Sequence, residues 1–341
     1  MPPSPEKLGY KMPAEWEKHQ WTWLSWPKDP DTFPGTVLPA VEAVYVKVVE
    51  ALQGAEEVRI LVNDAKMENR ARSMIKGRNQ VRFQILKTVD VWVRDYGPMG
   101  VKGRGIALVK WIFNSWGDKY EDLRPDNEAG DAMANSTGLR VFRPRMVLEG
   151  GSVDVNGRGS LLTTEQCLLN RNRNPWYGRR RVEAALESNL GTRNVIWLGR
   201  GIEGDDTDGH VDDICRFVGP RKVLAAVEAD LGDSNHRVLE DNLNRLQNSR
   251  DQDGHPLDVE EVPMPGRIVG NEGRLPASHL NFYIGNGTVV VPTFGGSSDA
   301  VALRTIGEMF PGRDVLGIDC RPLVFGLGTL HCVTQHVPAM V

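Results

Sequence analysis

The sequence lacks most of what would place a chain outside the cell or in a membrane. Its 341 residues include only four cysteines, Cys167, Cys215, Cys320 and Cys332, with no CxxC pair; they are too few and too scattered for a disulfide scaffold of this size. No apolar run nears the ~18–20 residues of a membrane span, and the opening MPPSPEKLGYKMPAEW has no apolar segment of the kind a secretory leader needs. The expectation is a reduced, cytoplasmic protein without membrane contact. One-sided charge is missing too: 41 basic against 45 acidic residues leave a formal net charge of −4. No nucleic-acid partner is therefore expected, since the only dense basic run is Arg179-Arg180-Arg181.

What is present is a recurring pattern. Residues 36–53 and 64–76 carry helical apolar periodicity ending at Gly54 and Gly77, while 58–62 and 81–86 read as β-branched strands. In the second half, apolar strands open at Gly159, Arg221 and Gly287. Each is followed by a polar stretch, a helix (178–190, 234–247, 299–310) and another strand. A weaker copy opens at Arg104. Openings about 64 residues apart mark a repeated supersecondary unit. Length alone suggests about two domains, but five such units account for residues 1–341 as one α/β domain.

The polar residues follow the same rhythm. After each unit's closing strand comes a loop of unusual chemistry: WVRDYGP around Asp95, LEGGS around Glu149, TDGHVDD around His210, GNEGR around Glu272, and GLGTLHC ending at Cys332. These loops lie about sixty residues apart. Equivalent loops of a closed ring meet at one end of its axis, so carboxylates, a His-x-Asp and a thiol would converge there.

Each residue has a plainer reading to overcome. A lone cysteine is more often a packed thiol, and Cys167, Cys215 and Cys320 keep that reading. The repeat position singles out Cys332 as nucleophile, with Gly326 and Gly328 allowing close backbone approach. His210 is the candidate general acid and base, and Asp212 shares its face if the segment is extended. His-x-Asp also suits a metal, but there is no HExxH, no CxxC and no ligand spacing among the other histidines, so no metal is expected. His331, facing away from Cys332 on a strand, reads as local packing. Asp95, flanked by Trp92 and Gly97-Pro98, is fixed at a turn. Two carboxylates beside a thiol suit a guanidinium, whose planar fork they accept in bidentate fashion. The N-terminal Trp16, Trp21, Trp23, Trp26 and Phe33 read as core, with one or two available to wall a cation pocket.

These residues carry a resemblance. From MPAEWEKHQWTWLSWP through WVRDYGP, LEGGS, LLTTEQCLLNRNRNP, TDGHVDDICRFV and SHLNFYIGNGTVVVPTFG to LHCVTQ, the chain resembles the agmatine deiminases of the bacterial peptidylarginine-deiminase-type family over nearly its full length. The resemblance implies a pentein fold, a five-fold pseudo-symmetric α/β-propeller of ββαβ-type units. It implies that Cys332 attacks the guanidinium carbon of agmatine and that His210 protonates the departing ammonia. His210 then activates the water that hydrolyses the S-alkylthiouronium. Asp95 and Asp212 would hold the guanidinium nitrogens, with Glu149 orienting His210. No cofactor is called for, and the product enters polyamine (putrescine) biosynthesis. The distal amine of agmatine needs an anion, for which Asp206 in the loop Glu203-Gly204-Asp205-Asp206 is preferred. Three departures from the family's pattern are GLGT for GGGN, TQH for TQQ and WVRD for WARD. Peptidyl-arginine as substrate, a non-catalytic guanidine- or polyamine-binding role and a cysteine protease are the rival readings. A homo-oligomer is left open.

Overall fold

The computed structural model describes residues 3–77, 79–271 and 273–340. Five sheets repeat one topology. In each, an inner strand runs antiparallel to a middle strand, and the middle strand continues through a helix into a parallel outer strand. Asp154–Val155, Ser160–Thr164 and Asn194–Leu198 form one such sheet, with helix Arg179–Leu190 as the crossover. Cys215–Phe217, Lys222–Val227 and Asp258–Pro263 repeat it through helix Ser234–Gln247. Tyr283–Ile284, Thr288–Thr293 and Asp314–Asp319 do so through Ser298–Met309. The copy from Arg104 is also present, as Met99–Lys102, Ile106–Val109 and Arg140–Phe142 around helix Asp126–Ser136.

The remaining sheet joins both ends of the chain. Strand His19–Ser25 pairs in parallel with Glu57–Val62 through helix Leu38–Leu52, and its inner antiparallel partner is the C-terminal strand Gln335–Pro338. A fourth strand, Val81–Ile85, extends it after helix Ala65–Met74. Periodicity along the sequence cannot register this unit as a repeat, because its parts are more than 300 residues apart. The first two helices stop at Leu52 and Met74, before Gly54 and Gly77.

Burial explains why the strands read as they do. Inner strands such as Cys215–Phe217 and Gln335–Pro338 are wholly buried, and middle strands nearly so. Hence LLTT, VLAAV and VVVPT are continuous apolar runs rather than alternating ones. Half the residues of the outer strands Asp258–Pro263 and Asp314–Asp319 are exposed, and both strands carry charges. The N-terminal aromatics Trp21, Trp23, Trp26 and Phe33 are buried core, while Trp16 is half-buried. All four cysteines are buried free thiols. Among the described residues, no helix is long and apolar enough to cross a membrane.

Helix Asp126–Ser136 docks so closely on the segment Val93–Tyr96 that a Cβ on Gly130 would overlap the Tyr96 carbonyl oxygen. A glycine inside a helix normally costs about 1 kcal/mol relative to alanine. Here the sign reverses: Gly130→Ala is expected to destabilise by about 1–3 kcal/mol through overpacking. Urea unfolding measures this, and a gain in stability would refute the close-approach account.

Candidate active site

The reactive residues sit just ahead of the inner strands. Asp95 lies in a four-residue helical turn, Val93–Tyr96, before Met99–Lys102. Glu149 precedes the turn Gly150–Ser152 and strand Asp154–Val155. His210 precedes the turn Val211–Asp213 and strand Cys215–Phe217. Cys332 stands shortly before Gln335–Pro338. The His210–Asp212 segment is therefore a 3-10 turn and not the extended strand expected, yet both side chains still converge. A Cβ on Gly151 would lie 2.6 Å from His210 Nδ1, 2.9 Å from Asp212 Oδ2 and 3.0 Å from Asp95 Oδ1. Only glycine leaves room there for the three to meet.

Asp95 is held from both sides. Its Oδ1 accepts from the Gly151 amide at 2.9 Å and its Oδ2 from Trp116 Nε1 at 2.9 Å. Ser115, Trp116 and Asp118 all have positive φ, 54°, 53° and 64°, a strained run of the kind that persists where packing over-determines it. His210 Nδ1 lies 3.8 Å from Asp95 Oδ1, while its Nε2 faces Glu149 Oε2 at 4.0 Å, too far for a direct hydrogen bond. Arg173 Nε donates to the other Glu149 oxygen at 2.8 Å. Asp212 Oδ1, Glu149 Oε2 and His210 Nε2 are buried without a hydrogen-bond partner.

Cys332 Sγ lies 3.9 Å from Asp212 Oδ2 and accepts from Asn281 Nδ2 at 3.2 Å. Burial, then Asp212, Asp213 and Asp95, push the thiol well above its usual range. Burial also disfavours a charged His210, but the Asp95 carboxylate leads the contributions that outweigh it, so the imidazole is held well above its ordinary value. The thiol faces a cavity of about 390 Å³ whose lining includes Trp92, Asp95, Trp116, Tyr120, Asp206 and Cys332. Trp92 and Asp206 both line this cavity, with Asp206 Oδ2 accepting from Tyr120 Oη at 2.7 Å. A larger cleft of about 1100 Å³ lies at the hairpin turns 102–104 and 156–158, the far ends of the inner strands, and contains neither Cys332 nor His210.

The chain is similar to known proteins over nearly its full length. Residues 11–338 match the family described as Porphyromonas-type peptidyl-arginine deiminase. The chain belongs to that family. A curated agmatine deiminase of Ectopseudomonas mendocina (strain ymp) is 38% identical, with 98% of this chain and 97% of that protein covered. One from Stutzerimonas stutzeri (strain A1501) is 37% identical at the same coverage. The solved structure of the agmatine deiminase of Enterococcus faecalis superposes with a TM-score of 0.92 at 30% identity, covering 99% of this chain and 98% of that one. The mixed α/β fold of this family member is thereby that of the agmatine deiminases.

Three features of this deiminase-family chain escaped the sequence. The fourth loop of the repeat was placed at Glu272, which lies outside the described residues. The segment standing ahead of strand Tyr283–Ile284 is instead 278–281, and it brings Asn281 to the thiol. His331 is not on a strand and does more than pack: its Nδ1 is 2.7 Å from Asp212 Oδ2 and its Nε2 is 2.9 Å from Glu15 Oε2. Glu15 itself had no motif to mark it. It also accepts from Arg94 Nη2 at 3.0 Å, Arg216 Nη2 at 2.9 Å and the Ile284 amide at 3.0 Å. Arg94 is consequently buried against Glu15. In GLGT, Leu327 has φ 69°, the left-handed conformation that explains the glycine of the family's pattern. In TQH, His336 stacks on His19 with centroids 4.2 Å apart.

Burial alone would raise the Glu15 carboxyl, but His331, Arg216 and Arg94 hold it well below the usual carboxylate range. Stability from this depressed group is present above its unfolded value and is lost as pH falls through the folded one. Glu15→Gln keeps the shape but strands two buried guanidiniums. It is expected to cost about 3–5 kcal/mol at neutral pH in urea unfolding; an unchanged midpoint would remove Glu15 from the centre of the network.

Proposed function

We propose that the chain hydrolyses agmatine to N-carbamoylputrescine and ammonia through a covalent thiouronium on Cys332. The observation that carries this reading is the lining of the cavity. Asp29, Asp31, Asp90, Asp95, Asp122 and Asp206 line it together with the thiol, and among the described residues no lysine or arginine does. A cavity so charged favours a substrate with two cationic ends. Arginine would bring a carboxylate into the same field and find no cation to receive it. The rival readings weaken in turn: binding alone needs no thiol, and a protease oxyanion would develop against the carboxylates.

The guanidinium is held between Asp95 and Asp212, whose unpartnered Oδ1 supplies an acceptor. Its positive charge offsets the repulsion that holds the thiol proton on, and that proton leaves to solvent. The Cys332 sulfur bonds to the guanidinium carbon. His210, charged at the outset, gives its proton to one amino nitrogen, and the C–N bond breaks to release ammonia. Water then adds to the same carbon and loses one proton to His210; as the C–S bond breaks, the remaining hydroxyl becomes the carbonyl and its proton returns to the Cys332 sulfur. Glu149, fixed by Arg173, faces the imidazolium and stabilises it. Asp206, beside Tyr120, receives the distal ammonium. We further infer that the five sheets close into a five-fold propeller, a single domain over residues 1–341, and that the product feeds polyamine formation. Inner strands that are buried along all or nearly all of their length, with the reactive residues all at the same ends, support the ring.

Ammonia release from agmatine, free arginine and an arginine-containing peptide at equal concentration tests the substrate. Agmatine is expected to dominate and Cys332→Ala to lose at least about three orders of magnitude; equal rates with the peptide would sink the small-amine assignment. Burial raises the Asp206 carboxyl to about 6. In the free enzyme its charge, and with it the hold on the distal ammonium, is lost as pH falls through that value. kcat/KM for agmatine should fall on that limb, and Asp206→Asn should flatten it while raising KM about tenfold or more. An unaltered limb in the variant would place the amine elsewhere.

A further inference from the structure

We propose that Glu149, Cys167 and His210 form a capture site for zinc, and that its occupation stops the deimination. The inhibitory half of this inference rests on the role given to His210 above; the site itself does not. One ligand atom from each residue, a carboxylate oxygen, a thiol sulfur and an imidazole nitrogen, lies within 4.8 Å of the others, and all three side chains are buried. That mixture of O, S and N donors is one zinc accepts, at about 2.0–2.3 Å each.

Two independent observations point into this gap. Glu149 Oε2 and His210 Nε2 are buried at 0% and 1% exposure and neither has an oxygen or nitrogen partner, the one side-chain thiol in reach of His210 being that of Cys167. They are 4.0 Å apart, beyond hydrogen bonding, and a small contraction would let both reach one ion between them. The supports of a metal site are also in place, since a ligating carboxylate and imidazole are normally oriented by neighbours. Arg173 holds the other oxygen of Glu149 at 2.8 Å and is itself held by Asp208, Asn172 and the Thr207 carbonyl. Cys167 sits in the short helix Glu165–Leu168, its amide donating to Thr164 Oγ1 at 3.1 Å.

The proposed reaction leaves the Cys167 thiol idle, so the site adds a use for it. On binding, the Cys167 S–H and the His210 Nε2–H each give up a proton to solvent as the S–Zn and N–Zn bonds form. Thiolate and carboxylate then balance the two charges of the ion, and Asp208 remains to balance the nearby Arg173. His210 coordinates through Nε2, so it can no longer carry protons on both nitrogens. An imidazole that cannot be an imidazolium cannot give a proton to ammonia and later take one from water.

The test uses the full chain, stripped with a chelator, with cobalt(II) as spectroscopic probe and zinc as inhibitor. Wild type and Cys332→Ala should each bind one cobalt with a thiolate-to-metal charge-transfer band. Cys167→Ala should lose the band, retain ammonia release, and need at least tenfold more zinc for half-inhibition; Cys167→Ser serves if the alanine variant does not fold. A band that survives in Cys167→Ala but vanishes in Cys332→Ala assigns the metal to the nucleophile and overturns the proposal, as does the absence of a band in wild type. Because the band in Cys332→Ala does not depend on turnover, failure of the agmatine assignment and failure of the metal site are read separately.

Discussion

Like charge crowded around a buried thiol is the constraint from which the rest follows. Asp95, Asp212 and Asp213 are all buried near Cys332, and burial and these carboxylates act together to keep the sulfur protonated. A site of this kind is costly to hold together, since buried charges of one sign repel in a medium that screens them poorly. It is also selective, because the favourable move open to it is to admit a positive charge. Strong perturbation of several neighbouring groups is common at reactive sites, and here the thiol, Asp95, Asp213 and His210 are all shifted upward.

The fold meets that cost with a layer of opposite charge beneath the cavity. Glu15, from the segment leading into the first strand, is the meeting point of Arg94, Arg216 and His331, which are contributed by three different reactive segments. His331 passes the contact on to Asp212, so the carboxylate beside the thiol is held through its neighbour in sequence. Burial works against charge on Asp212, but His331 and His210 outweigh it and hold its carboxyl below the ordinary value. Asp95 lacks such a partner, and burial leaves its carboxyl raised. The two carboxylates that flank the thiol are therefore unequal: one is ionised by the scaffold, the other relies on His210 and on what enters the cavity.

How far this was legible in the sequence depends on distance along the chain. The middle strands, such as LLTT and VVVPT, and the helices following them are local patterns, and they appear where the periodicity put them. Cys332, His210, Glu149 and Asp95 stood out because unusual residues recurred at one position of the repeat; Cys332, Asp95, Asp206 and Trp92 line one cavity, with His210 beside Asp95 and Glu149 beside His210. Asn281 failed to stand out because SHLN precedes a two-residue inner strand, too short to signal where the loop ends. Glu15 could not be found by spacing at all. Its partners lie between 79 and 316 residues away, and its importance comes from the joining of the two chain ends in one sheet, which no local pattern records. The extended reading of His210–Asp212 failed because proximity to a strand is not membership of it; the 3-10 turn that replaced it reaches the same convergence by folding over Gly151.

Substrate-supplied ionisation of the nucleophile is the central claim, and the thiolate absorbance of Cys332 tests it most directly. The measurement is the ultraviolet difference between wild type and Cys332→Ser across pH, with and without saturating guanidinium ion. The thiolate is expected only at alkaline pH in the free protein, with its onset moving to lower pH when guanidinium occupies the cavity. A thiolate already formed at neutral pH in the free protein, or an onset that guanidinium leaves in place, would contradict the account.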